Sequence, residues 1–308
     1  MHSSSGLRRH DRFASAFLDP RDVVVWLPQG YDGSDAGSDG GSHGGSHDGS
    51  QGGSHGGSHD GSHGTTVQNL RPEPSPRTTV KNPRRYPVLY MHDGQNLFDP
   101  DTAFLKGQHW RLGETAADLI EANRIEPLII VGINNTGPRR LQEYTPTRDA
   151  RLGGGRAGDY GRMIVEELKP YIDETYRTRP KAADTAIGGS SLGGLVTLYL
   201  GLTYPRIFSK LAVLSPSVWW DRGAILRMVR QTRPKPPLKI WVDMGTAEGR
   251  RGLDDARLLK AALVGAGWKI GRDLQYAEYE GATHSEDAWA ARVGPFLEWL
   301  FPPLIRQP

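Results

Sequence analysis

Short runs of β-branched and aromatic residues alternate along the chain with longer amphipathic segments. The runs predict strands, because Gly, Pro or polar residues bound each of them; they lie at Asp22–Pro28, Tyr86–His92, Leu128–Ile133, Thr185–Gly188, Lys210–Leu214, Leu238–Asp243 and Leu274–Tyr279. The intervening segments predict helices at Gly113–Asn123, Asp159–Tyr171, Gly193–Tyr204, Ala224–Arg230, Leu253–Val264 and Glu286–Leu300. This alternation predicts an α/β fold with a mostly parallel central sheet and helices on both faces, in which ligands bind at the carboxyl ends of the strands.

One segment interrupts the alternation between the first two predicted strands. Residues 34–81 are rich in Gly, Ser and His and then in Pro, and they contain the repeat GGSHGGSHDGSQ–GGSHGGSHDGSH. Such a composition buries too little apolar surface to offset the entropy of ordering. We therefore predict a single domain over residues 1–308 with a disordered loop insertion at 34–81. Metal binding by the loop is the alternative to a repeat expansion tolerated at the surface, and it would involve His43, His47, His55, His59 and His63.

Composition and charge exclude several classes of function. The 308 residues include no Cys, so neither a disulfide, a thiolate metal site nor a cysteine nucleophile is possible. The net charge is only +3 and the basic residues are scattered, which argues against a nucleic-acid partner. The first residues lack the apolar core of a signal peptide, and no apolar run approaches the roughly 20 residues that span a bilayer. We expect a cytoplasmic protein with no membrane partner.

The motif Gly189-x-Ser191-x-Gly193 lies between a predicted strand and a predicted helix. This is the context of a nucleophile elbow, in which a serine sits on a sharp turn that small neighbours must accommodate. The N–H of Leu192, at the start of the helix, is a candidate donor to a developing oxyanion. Ser191 is therefore the candidate nucleophile.

A nucleophilic serine needs a general base, and enzymes with this elbow place serine, acid and histidine in that order along the chain. His284 is the one histidine after Ser191, so it is the candidate base. Glu248, just past the strand that ends at Asp243, is the first candidate for the acid, and Asp243 is the second. The remaining alternatives are a Ser–His pair without a dedicated acid, or a carboxylate on the next helix, either Asp254 or Asp255.

The second oxyanion donor is expected in the loop that follows the strand ending at Met91. The sequence there is His92-Asp93-Gly94-Gln95, and the backbone N–H of Gly94 or Gln95 is the candidate. For the side chains of His92 and Asp93 we favour a role in shaping the loop.

Several segments resemble the esterase family of α/β-hydrolases that includes enterochelin (siderophore) esterases, feruloyl esterases, S-formylglutathione hydrolase and mycolyltransferases. The matching segments are YPVLYMHDGQNLFD, PLIIVGINNT, RRLQEYTP, YRTRPKAADTAIGGSSLGGL, LSPSVWW, VDMGTAEG and EGATHSEDAW. The resemblance implies the α/β-hydrolase fold and matches Ser191 and His284 to the catalytic pair of the family. It also matches Glu248 to the acid of a Gly-Thr-x-acid pattern found in some members.

The function that follows is a serine esterase, which cleaves a small-molecule carboxylic ester through an acyl-enzyme and needs no cofactor or metal. The resemblance places Trp219 and Trp220 near the pocket mouth, although two core tryptophans are an equally good interpretation. Arg140 is a candidate contact for an anionic substrate, against a solvated surface arginine. An acyltransferase with the same residues and a catalytically silent binding protein are the alternatives. The sequence predicts neither the particular ester nor the oligomeric state.

Overall fold

The computed structural model describes residues 6–31 and 83–304. The described residues on both sides of the gap belong to one compact unit. The insertion predicted at 34–81, with its five histidines and its alternative as a metal site, lies outside the described residues.

The described chain contains ten strands, eight of which form one sheet. In chain order the strands are β1 (Leu7–Phe13), β2 (Arg21–Trp26), β3 (Val88–His92), β4 (Ile129–Ile133), β5 (Arg148–Asp149), β6 (Gly153–Gly154), β7 (Thr185–Ser190), β8 (Lys210–Leu214), β9 (Lys239–Gly245) and β10 (Leu274–Tyr279). The large sheet has the order β1-β2-β4-β3-β7-β8-β9-β10, while β5 and β6 form a separate ribbon. The pairs from β4 to β10 are all parallel, and β2 runs antiparallel to both of its neighbours. The prediction of a mostly parallel sheet is confirmed.

Helices and helical turns connect the strands. The helices are α1 (Leu112–Glu121), α2 (Arg140–Glu143), α3 (Ala157–Arg162), α4 (Lys169–Thr175), α5 (Leu192–Thr203), α6 (Ala224–Gln231), α7 (Arg250–Gly265), α8 (Glu286–Ala290) and α9 (Val293–Leu300). A π-helical segment, Met163–Leu168, joins α3 to α4, and 3-10 turns lie at Gly94–Asn96, Gly137–Arg139, Ala182–Asp184 and Trp220–Arg222. None of the helices in the described ranges is long and apolar enough to cross a membrane.

Both faces of the sheet are covered, because successive strand residues point to opposite sides. In β3, Val88 and Tyr90 join the core that α3 to α7 cover, whereas Leu89 and Met91 join the core beneath α1, α8 and α9. All four side chains are buried, which explains why this strand is a continuous apolar run. The prediction of helices on both faces is confirmed.

The predicted elements are present; the structure adds the strands β1, β5 and β6 and the short helix α2, and it divides one predicted helix in two. The edge strand β1 was not predicted, because its sequence LRRHDRF is polar and largely exposed and has no apolar alternation. The predicted helix Glu286–Leu300 is two helices, α8 and α9, with a break at Ala291 and Arg292. Pro295 accounts for the break, since a proline lacks an N–H and its ring collides with the carbonyl four residues earlier in a continuous helix.

Candidate active site

The candidate site lies at the carboxyl edge of the parallel strands. Ser191 follows β7, Ser215 follows β8, Glu248 follows β9 and His284 lies between β10 and α8. Loops after neighbouring parallel strands share one edge of the sheet, so residues far apart in the chain converge there.

The turn at Ser191 holds this residue in a conformation that few side chains adopt. Its φ is 59° and its ψ is −120°, while its N–H donates to the carbonyl of Leu214 at 3.0 Å. The neighbouring glycines are sterically required: a Cβ on Gly189 would lie 3.0 Å from the ring of His92, and one on Gly194 would lie 2.7 Å from the Leu214 carbonyl oxygen. The backbone is thus strained at one residue, and the close packing around it maintains the strain.

Ser191, His284 and Glu248 form a continuous hydrogen-bonded chain. The Oγ of Ser191 is 3.0 Å from Nε2 of His284, and Nδ1 of His284 is 2.6 Å from Oε2 of Glu248. The imidazole is 46% exposed, whereas the Glu248 side chain is only 2% exposed. In this hydrogen-bonded series, the histidine is therefore accessible to solvent and the carboxylate is enclosed by protein.

The contacts of Glu248 define the tautomer of His284. Oε1 of Glu248 accepts from Ser215 Oγ at 2.6 Å, from the Gly245 N–H at 2.8 Å and from Arg292 Nη2 at 3.1 Å. Although burial raises its pKa, the hydrogen bonds from His284, Ser215 and Gly245 outweigh burial and hold the pKa of Glu248 below its usual value. An ionised Glu248 only accepts, so Nδ1 of His284 carries a proton, and in the neutral ring Nε2 offers its lone pair to Ser191.

Asp243, the second candidate for the acid, bonds to groups other than the histidine. It is fully buried and accepts from Arg292 Nη1 at 2.8 Å and from Trp241 Nε1 at 2.8 Å. The other two candidates lie on α7, where Asp254 is within 4.0 Å of Arg257, and a buried oxygen of Asp255 has no hydrogen-bond partner in the described part of the chain. Among the described residues, Glu248 is the carboxylate that bonds to His284.

Arg292 and Ser215 were not anticipated from the sequence. Ser215 Oγ accepts from Arg292 Nη1 at 2.9 Å and from Trp289 Nε1 at 3.0 Å, which uses both of its lone pairs, so its one proton goes to Glu248. Arg292 is 1% exposed and bridges Asp243 and Glu248. The position of Ser215, directly after a buried parallel strand, was a usable signal, whereas Arg292 lies in the break between α8 and α9, which the sequence did not predict.

The loop after β3 is held against the start of α5. Asp93 has a φ of 57°, and a Cβ on Gly193 would lie 3.4 Å from its Oδ2. Within the described ranges, no backbone acceptor outside the helices and strands takes the N–H groups of Gly94, Gln95 or Leu192, and their role as oxyanion donors stays a prediction. A Cβ on Gly94 would lie 2.5 Å from the backbone carbon of Gly132, so glycine is required for this approach.

Arg140 is engaged by Asp93 in a two-pronged ion pair. Nε of Arg140 is 2.7 Å from Oδ1 of Asp93, and Nη2 is 2.8 Å from Oδ2. Burial raises the pKa of Asp93, but the charge and hydrogen bonds of Arg140 outweigh it and keep the pKa below its usual value. The structure therefore gives Arg140 a role in fixing the loop after β3, and its guanidinium is 26% exposed.

His92 packs behind the turn at Ser191 as a neutral ring. Its Nδ1 is 2.8 Å from the hydroxyl of Tyr160, and burial lowers its pKa to about 3. The ring contacts the positions that side chains at Gly189 and Gly193 would occupy. A loop-shaping role for His92 and Asp93 is consistent with these contacts.

The two adjacent tryptophans have opposite environments. Trp220 is fully buried and donates its indole N–H to the carbonyl of Thr147 at 3.0 Å, so it is a core residue. Trp219 is 40% exposed, with its ring 5.8 Å from that of Trp220. Of the pair, Trp219 offers a surface to a ligand.

Comparison with known proteins identifies the family. The model of the Esterase family, described as "Putative esterase", matches residues 58–300. The chain belongs to this family and is therefore a hydrolase that acts on esters. Within residues 6–31 and 83–304, no group of three or more His, Asp or Glu side chains is placed to hold a metal ion.

Individual relatives cover most of the chain at modest identity. Uncharacterized protein YbbA of Bacillus subtilis (strain 168) is 25% identical over 228 residues, which cover 70% of this chain and 86% of that protein. Ferri-bacillibactin esterase BesA of the same organism is 29% identical over 232 residues, which cover 67% of this chain and 76% of BesA. The structure of an IroE-like serine hydrolase from Shewanella oneidensis covers 96% of this chain and 80% of its own, with 19% identity and a TM-score of 0.66. This likeness supports the α/β-hydrolase fold.

Proposed function

We propose that Ser191, His284 and Glu248 form a catalytic triad that hydrolyses a carboxylic ester through an acyl-enzyme. The observation that carries the proposal is the unbroken chain of contacts, 3.0 Å from Ser191 to His284 and 2.6 Å from His284 to Glu248. These distances are within the range for proton transfer between a nucleophile and a base, and between a base and the group that orients it.

The mechanism follows from the tautomer of His284. Nε2 accepts the proton of Ser191 Oγ as the oxygen attacks the ester carbonyl, and the resulting imidazolium is stabilised by Glu248 at Nδ1. Collapse of the tetrahedral intermediate breaks the bond to the alcohol, which takes the proton from Nε2 and leaves an acyl group on Ser191. A water molecule then attacks this acyl group with His284 again acting as base, and the acid and free serine are released.

The oxyanion of each tetrahedral intermediate needs donors that are already in place. We assign this role to the N–H of Leu192, at the start of α5, together with the N–H of Gly94 or Gln95. In the described part of the chain, no backbone acceptor outside the helices and strands takes any of the three. The first turn of α5 adds its positive dipole end to the same position.

The substrate that we propose is an ester that carries an aromatic ring close to the bond that is cleaved, as in feruloyl esters and catecholate siderophores. Trp219 supports this proposal because it is exposed and lies two residues after Ser217, whose Oγ is 3.4 Å from Ser191 Oγ. An exposed indole stacks well on a planar ring. The name of the relative BesA, a ferri-bacillibactin esterase, points to the same class.

The test compares Ser191→Ala with Ser190→Ala on p-nitrophenyl acetate, feruloyl esters and catecholate siderophore esters. We expect Ser191→Ala to lose at least about a thousandfold in kcat and Ser190→Ala to retain activity, because one serine alone carries the acyl group. Both variants should unfold at the wild-type temperature. Substantial turnover by folded Ser191→Ala contradicts the triad. Product analysis with an added alcohol separates hydrolysis from acyl transfer.

A further inference from the structure

Glu286 occupies an unusual position two residues after His284. It is the first residue of α8, its residue exposure is 9%, and its carboxylate accepts from the side-chain amide of Asn96 at 3.0 Å and from the indole N–H of Trp110. Both donors are neutral, and no Lys, Arg or His of residues 6–31 and 83–304 bonds to this buried carboxylate. Burying a carboxylate is costly, and Glu286 is not part of the proposed triad, so its burial needs another explanation.

Both partners of Glu286 belong to the loop that carries the proposed oxyanion donors. Asn96 is the last residue of the turn Gly94–Asn96, and its carbonyl accepts the N–H of Trp110 at 2.9 Å. The Oδ1 of Asn96 also accepts the N–H of Phe104 at 2.9 Å. The carboxylate therefore holds the two ends of this loop together, at Asn96 and at Trp110.

The same group is connected to the histidine by the chain and by packing. The ring of Trp110 lies 5.9 Å from that of Trp289, which in turn meets the ring of His284 edge-on at 4.9 Å. Trp289 also donates to Ser215, which contacts Glu248. Glu286 thus links the loop after β3 to the segment that carries His284, although Asn96 and Glu286 are 190 positions apart in the chain.

We propose that Glu286 is a positioning residue that fixes the oxyanion donors at Gly94 and Gln95 relative to His284. The inference rests on the proposed function, because it assumes that the two loops serve one reaction. Alignment of the donors matters only when charge develops on the carbonyl oxygen, so loss of the anchor should lower kcat and leave KM nearly unchanged.

The electrostatics of the site are consistent with a carboxylate retained for position. Burial raises the pKa of Glu286 to about 7, the hydrogen bond from Trp110 opposes this shift, and Asp93 adds to it. Arg140 and His284, the other titratable groups that face it, lower the pKa.

The test uses Glu286→Gln, Asn96→Ala and the double variant, with Glu280→Gln as the matched control on an exposed glutamate of the same loop. Glu286→Gln keeps the shape but places an amide N–H₂ against a donor. We expect kcat per active site to fall about tenfold or more, because misaligned oxyanion donors weaken transition-state binding. KM should stay within about threefold of wild type, since ground-state binding does not use these donors.

Active-site titration with a fluorophosphonate normalises every rate to the folded fraction. The double variant should be no slower than the slower single variant, because both changes break the same link. The proposal is overturned if Glu286→Gln has the kcat of wild type or if Glu280→Gln loses as much kcat as Glu286→Gln. It is also overturned if the loss of kcat in Glu286→Gln disappears once rates are divided by the concentration of active sites. If instead Ser191→Ala retains activity, the proposed function itself fails, which distinguishes the two.

Discussion

Arg292 links the two buried carboxylates of the site, and its removal is the most demanding test of the energetics. Its side chain is 1% exposed and lies 2.8 Å from Asp243 and 3.1 Å from Glu248, which are 0% and 2% exposed. Arg292→Met keeps most of the apolar stem but leaves two buried anions without their cation. Removing one partner of a buried ion pair costs about 3–5 kcal/mol, and we expect this loss in the free energy of unfolding.

The control is an ion pair of similar geometry on the surface. Arg257 contacts Glu278 at 2.9 and 2.7 Å, but the two side chains are 52% and 27% exposed, so Arg257→Met should cost no more than about 1 kcal/mol. Urea titrations at pH 7.5, followed by tryptophan fluorescence, give both values from the linear dependence of the free energy on denaturant.

A double variant locates the origin of the loss. Asp243→Asn removes one of the stranded anions, so Arg292→Met/Asp243→Asn should be more stable than the sum of the single variants predicts, with a coupling of about 1–3 kcal/mol. The reasoning that a buried charge network holds Glu248 is refuted if Arg292→Met and Arg257→Met lose the same free energy of unfolding. It is also refuted if the losses of Arg292→Met and Asp243→Asn simply add in the double variant.

Three further predictions follow from the same contacts. Gly189→Ala should reduce kcat and stability together, because its Cβ would lie 3.0 Å from His92; unchanged kinetics and melting temperature would contradict the packing argument. Trp220→Ala should cost about 3–5 kcal/mol in unfolding free energy because it truncates a buried aromatic side chain. Trp219→Ala should raise KM for aryl esters with little change in stability. The reverse pattern would contradict the assignment of Trp220 to the core and of Trp219 to ligand binding. The pKa of Glu286 is raised from 4.5 to about 7, so between these values the folded state retains a proton that the unfolded state releases. Wild type should therefore lose stability relative to Glu286→Gln as the pH rises from 4.5 to 7. A constant difference in melting temperature between the two proteins across that range would contradict the shift.

The sequence was sufficient for the parts of the site that follow local rules. A strand-turn-helix context marked Ser191, and chain order left His284 as the one candidate base, and the structure places the two side chains 3.0 Å apart. The distance of Glu248 from the end of its strand also favoured it over Asp243. For Ser191 and Glu248 the relevant information was position relative to a strand end, which hydrophobic patterning indicates. For His284 it was the order of the residues along the chain.

The parts that the sequence did not predict depend on contacts between distant segments. Arg292 lies within a segment predicted as one helix, and its sequence context does not indicate that it is buried against Asp243 and Glu248. The role proposed for Glu286 depends on its contacts with Asn96 and Trp110, which are distant in the sequence. Trp219 and Trp220 are adjacent and chemically identical, so the sequence does not show which of them is buried. In the structure Trp220 joins the core and donates to the carbonyl of Thr147, whereas Trp219 is exposed.

The measurement that tests the central claim most directly is covalent labelling by a fluorophosphonate, with the modified residue identified by mass spectrometry. Wild type, Ser190→Ala and Ser191→Ala should be compared at equal folded concentration. We predict that wild type and Ser190→Ala each acquire one label on the peptide that contains residue 191, and that Ser191→Ala acquires none. Labelling of folded Ser191→Ala at the wild-type rate, or no labelling of folded wild type, would contradict the assignment of Ser191 as the nucleophile.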